Sequence, residues 1–242
     1  TSISFSIALN NTCRKARLHF DPNEFTHSPM TDQIEFTWAE SAYPKLAKSS
    51  SDGFYCYYFQ RRLSCYVSYA SAKLGISPDQ STWIDLTFAL TAAVCLMMGY
   101  PITAVVLIQL FGIWSCVDGE VARLTGKTSK VGDYFDTMVD RLAEIIFVAG
   151  LLLLLLAKGS EETISLYFFT YIGAVFLITV SSEKYRSASQ KNYPKKEIET
   201  VFSWICAGSD IRFLYLSLAI IAMVLSDQVR FVLVTLAILS VA

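Results

Sequence analysis

The sequence predicts an all-α integral membrane protein in which six transmembrane helices follow an interfacial amphipathic helix. Its 242 residues are 53% hydrophobic and have a mean hydropathy of +0.43, above the usual composition of soluble globular domains. Uncharged runs that suit membrane helices recur from residue 86 onward. Basic residues concentrate in alternate loops between these runs, which is typical of multi-pass membrane proteins.

The uncharged runs give six predicted spans. The first run is interrupted at Pro101, which predicts two helices joined by a tight turn. The second run reaches a full span only when it is extended back to Tyr134, and this extension brings acidic residues into the helix. The runs are 86–117, 145–157, 163–182, 213–226 and 231–242.

The loop charges indicate sidedness. Lysine and arginine residues concentrate at 61–73, 123–130 and 184–196, whereas the loop at 158–162 has one lysine against two glutamates. This asymmetry predicts that both termini and the basic loops lie on the cytoplasmic side, or on the matrix side of a mitochondrial inner membrane. The chain as a whole has 20 basic and 21 acidic residues, so we expect no nucleic-acid partner.

We divide the chain into three parts. Residues 1–52 form a polar N-terminal appendage, 53–75 a juxtamembrane amphipathic helix, and 76–242 the six-span membrane domain. Within the second part, apolar residues recur at the spacing of one helix face, and this stripe lies either in the membrane interface or against the protein's own spans. The stripe consists of Phe59, Leu63, Tyr66, Val67, Ala70 and Leu74.

Three aspartates are predicted to meet at the basic face of the helix bundle. Asp118 lies at the end of the second span, and Asp136 and Asp140 are four residues apart on the third, so the latter two share a helix face. Buried carboxylates repel one another, and a hard divalent cation such as Mg²⁺ or Mn²⁺ relieves that repulsion. In the alternative, the aspartates form a solvated cluster with Arg123, Lys127, Lys130 and Arg141.

The same stretch resembles the signature of the CDP-alcohol phosphotransferases, D-x2-D-G-x2-A-R-x8-G-x3-D-x3-D. The matching residues are Asp118, Gly119, Ala122, Arg123, Gly132, Asp136 and Asp140. Residues 76–82 resemble the P-N-x-x-T entry to the family's first span, with Asp79 where asparagine is usual. Segments at 52–54, 61–64 and 210–212 resemble the inositol-phosphate phosphotransferase subgroup.

This resemblance implies a transferase with two divalent ions between the second and third spans. Such an enzyme moves a substituted phosphoryl group from a CDP-alcohol to an acceptor hydroxyl and releases CMP, as in phospholipid or inositol-phosphate synthesis. Asp118, Asp136 and Asp140, with Ser115, would hold Mg²⁺ or Mn²⁺, and Asp140 would be the general base. The residues implied for CDP and phosphate binding are Gly119, Ala122, Arg123, Gly132 and Thr82.

The expected partners are the two substrates, membrane lipids and, by resemblance, a second copy of the chain in a homodimer. Arg212 is a candidate contact for the acceptor, and its alternative role is to snorkel at a helix end. Lys184 is a second candidate, and its alternative role is to set the topology of the basic loop.

Position 115 departs from the signature, because Ser115 stands where the family has a metal-ligand aspartate. A neutral hydroxyl binds a hard cation more weakly than a carboxylate does. Asp85 supplies a substitute acid if the first span packs against this site, and otherwise it is an interfacial residue near a helix start. The alternative function is a catalytically degenerate accessory subunit of a larger membrane complex. A transporter ranks third, because the acids lie at one face of the membrane.

Overall fold

The computed structural model describes residues 53–159, 163–189 and 208–241, and the regular structure of these residues is entirely helical. The predicted appendage at 1–52 lies outside the described residues. A π-helical turn at Cys56–Gln60 leads directly into α1 (Arg61–Lys73). The helices that follow are α2 (Pro78–Met97), α3 (Pro101–Trp114), α4 (Val117–Leu124), α5 (Lys130–Ala157), α6 (Thr163–Ser189), α7 (Ser209–Ser226) and α8 (Arg230–Val241).

Four helical segments among the described residues are long and apolar enough to cross a membrane. They are α2, the continuous stretch of α3 and α4, α6, and α7. The predicted class, an all-helical membrane protein, agrees with this finding. Helices also occupy the two other predicted spans, but α8 has 12 residues and α5, with 28, carries charged residues through its first half. The count of six spans stays a prediction.

Local sequence signals set the ends of the first membrane helices. α2 begins with a capping box, in which Ser77 Oγ accepts from the Gln80 N–H and Gln80 Oε1 accepts from the Ser77 N–H. The predicted turn between the first two spans is present. Gly99 supplies its left-handed backbone, with φ of +79°, and Pro101 begins α3.

The core is built where α2 packs beside α5. Gly150 of α5 lies so close to Ala93 that a Cβ at position 150 would stand 2.9 Å from the Ala93 Cα and carbonyl oxygen. Nearer the start of both helices, the rings of Trp83 and Phe135 lie 5.7 Å apart. The two contacts show that α2 and α5 run in the same direction, and small residues let their backbones approach closely. The acidic first half of α5 therefore lies beside the first half of α2.

Aromatic packing joins α7 to this core. The ring of Phe213 makes edge contacts with Phe111 of α3 at 5.5 Å and with Phe147 of α5 at 5.9 Å. All three side chains are buried. The start of α7 is thereby fixed next to the end of α3 and the region of α5 just past its midpoint.

Helix α1 packs on the protein through serines instead of its apolar stripe. Ser64 and Ser68 are fully buried, whereas Leu63 and Leu74 are 54% and 78% exposed. The alternative in which the stripe packs on the protein's own spans is therefore wrong. The reason is that a buried carboxylate on α4, Glu120, needs the serine hydroxyls as hydrogen-bond donors.

We expect Gly150→Ala to destabilise the bundle, because the added methyl group meets backbone atoms of Ala93 that cannot rotate away. The expected loss is about 1–3 kcal/mol in the free energy of unfolding. Unfolding would be followed by circular dichroism in detergent micelles titrated with sodium dodecyl sulfate.

Gly173→Ala on α6 is the matched control. Among the described residues, no heavy atom outside its own helix lies within 4 Å of the added carbon. Alanine should stabilise this helix by roughly 0.5–1 kcal/mol relative to glycine. Equal effects of the two substitutions would contradict a close approach of α2 and α5.

Candidate active site

Asp118 is held by hydrogen bonds at the start of α4. The residue is 5% exposed. Its Oδ1 accepts from the backbone N–H of Gly119 at 2.5 Å, and its Oδ2 accepts from the Thr82 hydroxyl at 2.9 Å. Sequence reasoning assigned Thr82 to the CDP group, but the structure places its hydroxyl on the Asp118 carboxylate. Thr82 thus ties α2 to α4.

The two aspartates of α5 reach the same region. Asp136 lies within hydrogen-bonding distance of Asp118, and Ser115 Oγ donates to Asp140 Oδ1 at 3.2 Å. Both aspartates are half-buried, and their four-residue spacing puts them on one helix face. The structure therefore brings the three motif acids together, and Ser115 is hydrogen-bonded to one of them, Asp140.

A fourth acid, Asp85, is buried beside the first three. It lies one turn after Thr82 on α2 and is 1% exposed. Neither of its carboxylate oxygens has a hydrogen-bond partner among the described residues. Asp140, Asp118 and Asp136 are the acids that act on it electrostatically. The first span therefore does pack against this site.

A cavity of about 770 Å³ adjoins the acids. Ser115, Asp136 and Asp140 line it, and so do the guanidinium-bearing residues Arg141 and Arg212. This volume is in the range of pockets that enclose small organic ligands. The lining of the cavity therefore contains both carboxylates and arginines.

Several motif positions have local structural roles. Arg123 Nη1 lies 3.2 Å from the place of a Cβ at position 119, so Gly119 makes room for that guanidinium. The Gly132 N–H donates to Ser129 Oγ at 2.9 Å, which caps the start of α5. The phosphate contacts expected of these residues, and of half-buried Ala122, stay predictions.

A buried ion-pair network lies one turn beyond Asp140. Glu144 accepts two hydrogen bonds from Arg212, from Nε at 2.7 Å and from Nη2 at 2.9 Å. It also accepts from Arg141 Nη1 at 2.8 Å and from the Tyr171 hydroxyl at 2.7 Å. Two guanidinium groups and a hydroxyl thus compensate this carboxylate, and they fix α7 and α6 against α5.

The two predicted acceptor contacts differ in position. Arg212 is 2% exposed, so the alternative in which it snorkels to the membrane surface is wrong. It lines the cavity while it is paired with Glu144. Lys184 is exposed on α6, and residues 190–196 of its basic loop lie outside the described residues.

A second buried network fixes α1 to α4. Glu120 is fully buried and accepts from Arg61 Nη1 at 2.9 Å and from Ser64 Oγ at 2.8 Å. Ser68 Oγ donates to the other carboxylate oxygen at 2.5 Å. Because Glu120 is two residues from Asp118, it points away from the aspartates toward α1.

The segments near residues 53 and 210 contact each other. Asp210 Oδ2 accepts from the Cys56 backbone N–H at 2.9 Å. A Cβ at Gly53 would stand 2.7 Å from the same oxygen, so a larger residue there would displace the Asp210 carboxylate. Two of the three segments that resemble the inositol-phosphate subgroup therefore form one junction at the cavity wall.

Sequence reasoning missed the Glu120 and Glu144 networks. Arg61 is 59 residues from Glu120 and Arg212 is 68 residues from Glu144, so no local spacing connects these pairs, and only the contact of Glu144 with Arg141 is local. The usable signal was the presence of Glu144 inside an otherwise apolar segment, since an acid at that depth requires a compensating partner.

The donor set fits a hard divalent cation in its chemistry, because carboxylates and a hydroxyl supply oxygen ligands and no described residue donates a hydrogen bond to Asp85. No three His, Cys, Asp or Glu side chains in the described ranges stand close enough to form a preassembled metal site. Thr82 and Gly119 each donate one hydrogen bond to Asp118, which leaves lone pairs on both of its carboxylate oxygens for a cation.

Residues 76–242, well over half of the chain, match the family model described as CDP-alcohol phosphatidyltransferase. The chain belongs to the CDP-alcohol phosphatidyltransferase family. This match starts just before α2 and includes the helices that carry Asp85, Asp118, Asp136 and Asp140.

The chain matches only part of the length of its relatives within the family. The bifunctional IPC transferase and DIPP synthase of Thermococcus kodakarensis is 29% identical over 192 residues, which are 72% of this chain and 43% of that protein. The archaetidylinositol phosphate synthase of Pyrococcus horikoshii is 32% identical over 103 residues, 43% of this chain and 52% of that protein. The chain therefore spans about half or less of the length of these relatives.

A solved member of the family has the same fold. It is the phosphatidylinositol phosphate synthase of Mycobacterium tuberculosis with CDP-DAG bound. It gives a TM-score of 0.61 at 16% identity, over 75% of this chain and 87% of that chain. A structure of that enzyme with manganese and citrate gives a TM-score of 0.58, again at 16% identity, over 73% and 81% of the two chains.

We expect Glu144→Gln to destabilise this family member strongly, because it leaves the buried Arg212 guanidinium without its counter-charge. Removing one partner of a buried ion pair costs about 3–5 kcal/mol in the free energy of unfolding. The measurement is equilibrium unfolding in detergent micelles.

Asp133→Asn, on the same helix, is the matched control. Its ion pair with Arg186 is exposed, so its loss should cost at most about 1 kcal/mol. A Glu144→Gln loss as small as that of the control would contradict the structural role of the Glu144 network.

Proposed function

We propose that this chain transfers a substituted phosphoryl group from a CDP-alcohol to an acceptor hydroxyl and releases CMP. The observation that carries the proposal is the meeting of Asp118, Asp136 and Asp140 beside a cavity of about 770 Å³. These are the acids of the family signature, and they come from two different helices. Membership in the family supports the same reaction class.

The substrate classes follow from the relatives and from the cavity wall. The Mycobacterium tuberculosis enzyme holds CDP-DAG, and the relatives' names refer to inositol-phosphate lipids. We therefore propose a lipid-linked CDP-alcohol as the donor and a phosphorylated polyol of the inositol-phosphate type as the acceptor. Arg141 and Arg212 in the cavity wall suit an anionic acceptor.

Different residues of the chain have different roles in the proposed reaction. Asp118, Asp136 and Asp140, with Ser115, would hold Mg²⁺ or Mn²⁺, and the bound ions would neutralise the donor's pyrophosphate. Arg123 pairs with a phosphate of the donor. Asp140, whose Oδ1 accepts from the Ser115 hydroxyl, is the general base that takes the acceptor's proton.

The proposal also places the protein in its membrane. Residues 76–242 form a six-span domain with the site at the cytoplasmic or matrix face, as the basic loops indicate. Residues 53–75 form a juxtamembrane part, and the exposed Leu63 and Leu74 of α1 lie in the lipid interface. Residues 1–52 are an appendage, and the functional unit is a homodimer.

We expect Asp140→Asn to lower the rate of CMP release at least about 100-fold, because it removes the general base. The assay uses the purified full chain with Mn²⁺, CDP-diacylglycerol and inositol phosphate, and CMP is quantified by chromatography. Asp227→Asn is the control, since this exposed residue lies at the far end of α7 and has a φ of 52°, which asparagine adopts readily. Its rate should equal that of the wild type.

Two outcomes would contradict the proposal. Equal rates for Asp140→Asn and the wild type would exclude Asp140 as the base. No CMP from the wild type with a panel of CDP-alcohols and acceptors would favour the alternative, an accessory subunit of a membrane complex. Recovery of CMP release by Ser115→Asp would then assign the loss of activity to position 115.

A further inference from the structure

Asp85 is an acid whose burial the rest of the fold does not explain. Its side chain is 1% exposed, and both carboxylate oxygens lack hydrogen-bond partners among the described residues. A carboxylate removed from water without hydrogen bonds or a counter-charge is strongly disfavoured. The residue is therefore either neutral through protonation or compensated by a partner that the described residues do not supply.

The position of Asp85 within α2 excludes the simplest structural role. An acid near the start of a helix is stabilised by the exposed N–H groups and dipole of the first turn. In α2 that first-turn acid is Asp79, and Asp85 lies two turns further along. The helix start therefore does not stabilise Asp85.

The surroundings of Asp85 are acidic. Asp140, Asp118 and Asp136 all act on it electrostatically, and each of them opposes its negative charge. Thr82, one turn earlier on the same helix face, donates to Asp118 at 2.9 Å and so ties this part of α2 to the motif acids. Asp85 thus belongs to the same cluster as the three signature aspartates.

This chain lacks the carboxylate that the signature has at position 115, and it has another carboxylate, Asp85, in the same region. Position 115, where the family has an aspartate, holds a serine whose hydroxyl donates to Asp140 Oδ1 at 3.2 Å. Serine has no carboxylate to offset a dication, whereas Asp85 has one that lacks a hydrogen-bond partner among the described residues. We propose that Asp85 is a ligand of the divalent cation and supplies the carboxylate that is absent at position 115. This inference rests on the proposed function.

The direct test is Mn²⁺ binding to the purified full chain in detergent, measured by the electron paramagnetic resonance of free Mn²⁺. We expect Asp85→Asn to weaken Mn²⁺ binding at least about tenfold. The double variant Asp85→Asn/Ser115→Asp should recover most of the lost affinity, because it returns the carboxylate to the signature position. Asp79→Asn is the matched control, an exposed acid of the same helix, and its affinity should equal that of the wild type.

A second readout separates a metal ligand from a structural residue. With EDTA present, Asp85→Asn should melt at a higher temperature than the wild type, because it removes an uncompensated buried charge. With Mn²⁺ present, the wild type should gain thermal stability and the variant should gain little. If Asp85 had a structural role, its replacement would lower the melting temperature in both conditions.

The outcomes distinguish this inference from the proposed function. Wild-type chain that binds Mn²⁺ and releases CMP, with an Asp85→Asn variant that does both equally well, would overturn the role of Asp85 and leave the transferase intact. Mn²⁺ binding that is lost in Asp85→Asn and recovered in the double variant would support the ligand even in a chain that releases no CMP. Absence of Mn²⁺ binding from the wild type and every variant would overturn both.

Discussion

The burial of carboxylates in a low-dielectric helix bundle is the constraint on which this structure depends. Glu120 and Glu144 show how the fold meets it, since each is fully buried and hydrogen-bonded to a guanidinium group and to hydroxyls. The donors seen on Asp118 and on Asp140 Oδ1 are instead neutral hydroxyl and amide groups. The contrast separates acids that are paired with guanidinium groups and join helices from acids whose hydrogen-bond donors are neutral.

Close packing of α2 and α5 brings the acids of these two helices together. Gly150 lets the α5 backbone lie against Ala93, and the Trp83 and Phe135 rings align the same two helices nearer the site. The parallel arrangement sets Asp85 beside the first half of α5. Acids on two helices therefore lie in one region, and apolar packing further along the helices offsets the free-energy cost of their mutual repulsion.

Much of the fold could be predicted from the sequence, because hydropathy and turn residues are local signals. Helices occupy every predicted span, and the turn before Pro101 is where the residues indicate. The motif acids were also predictable, since their spacing is fixed along the chain. The packing face of α1 could not be predicted. Its serines are buried because they donate hydrogen bonds to Glu120 on another helix, and the apolar stripe contains no information about that contact. The location of Asp85 required the packing of α2, and no spacing along the sequence contains that information.

A carboxylate at position 85 joins different helices from one at position 115. An aspartate at 115 would lie three residues before Asp118, so both would come from the junction of α3 and α4. Asp85 comes from α2, the helix in close contact with α5, which carries Asp140. A cation that draws Asp85 and Asp140 together would bridge these two helices, so its binding free energy would add to the stability of their contact. Because Gly150 and Ala93 hold α2 and α5 in direct contact, a cation bound by Asp85 and Asp140 would lie between helices whose spacing the backbone packing already fixes.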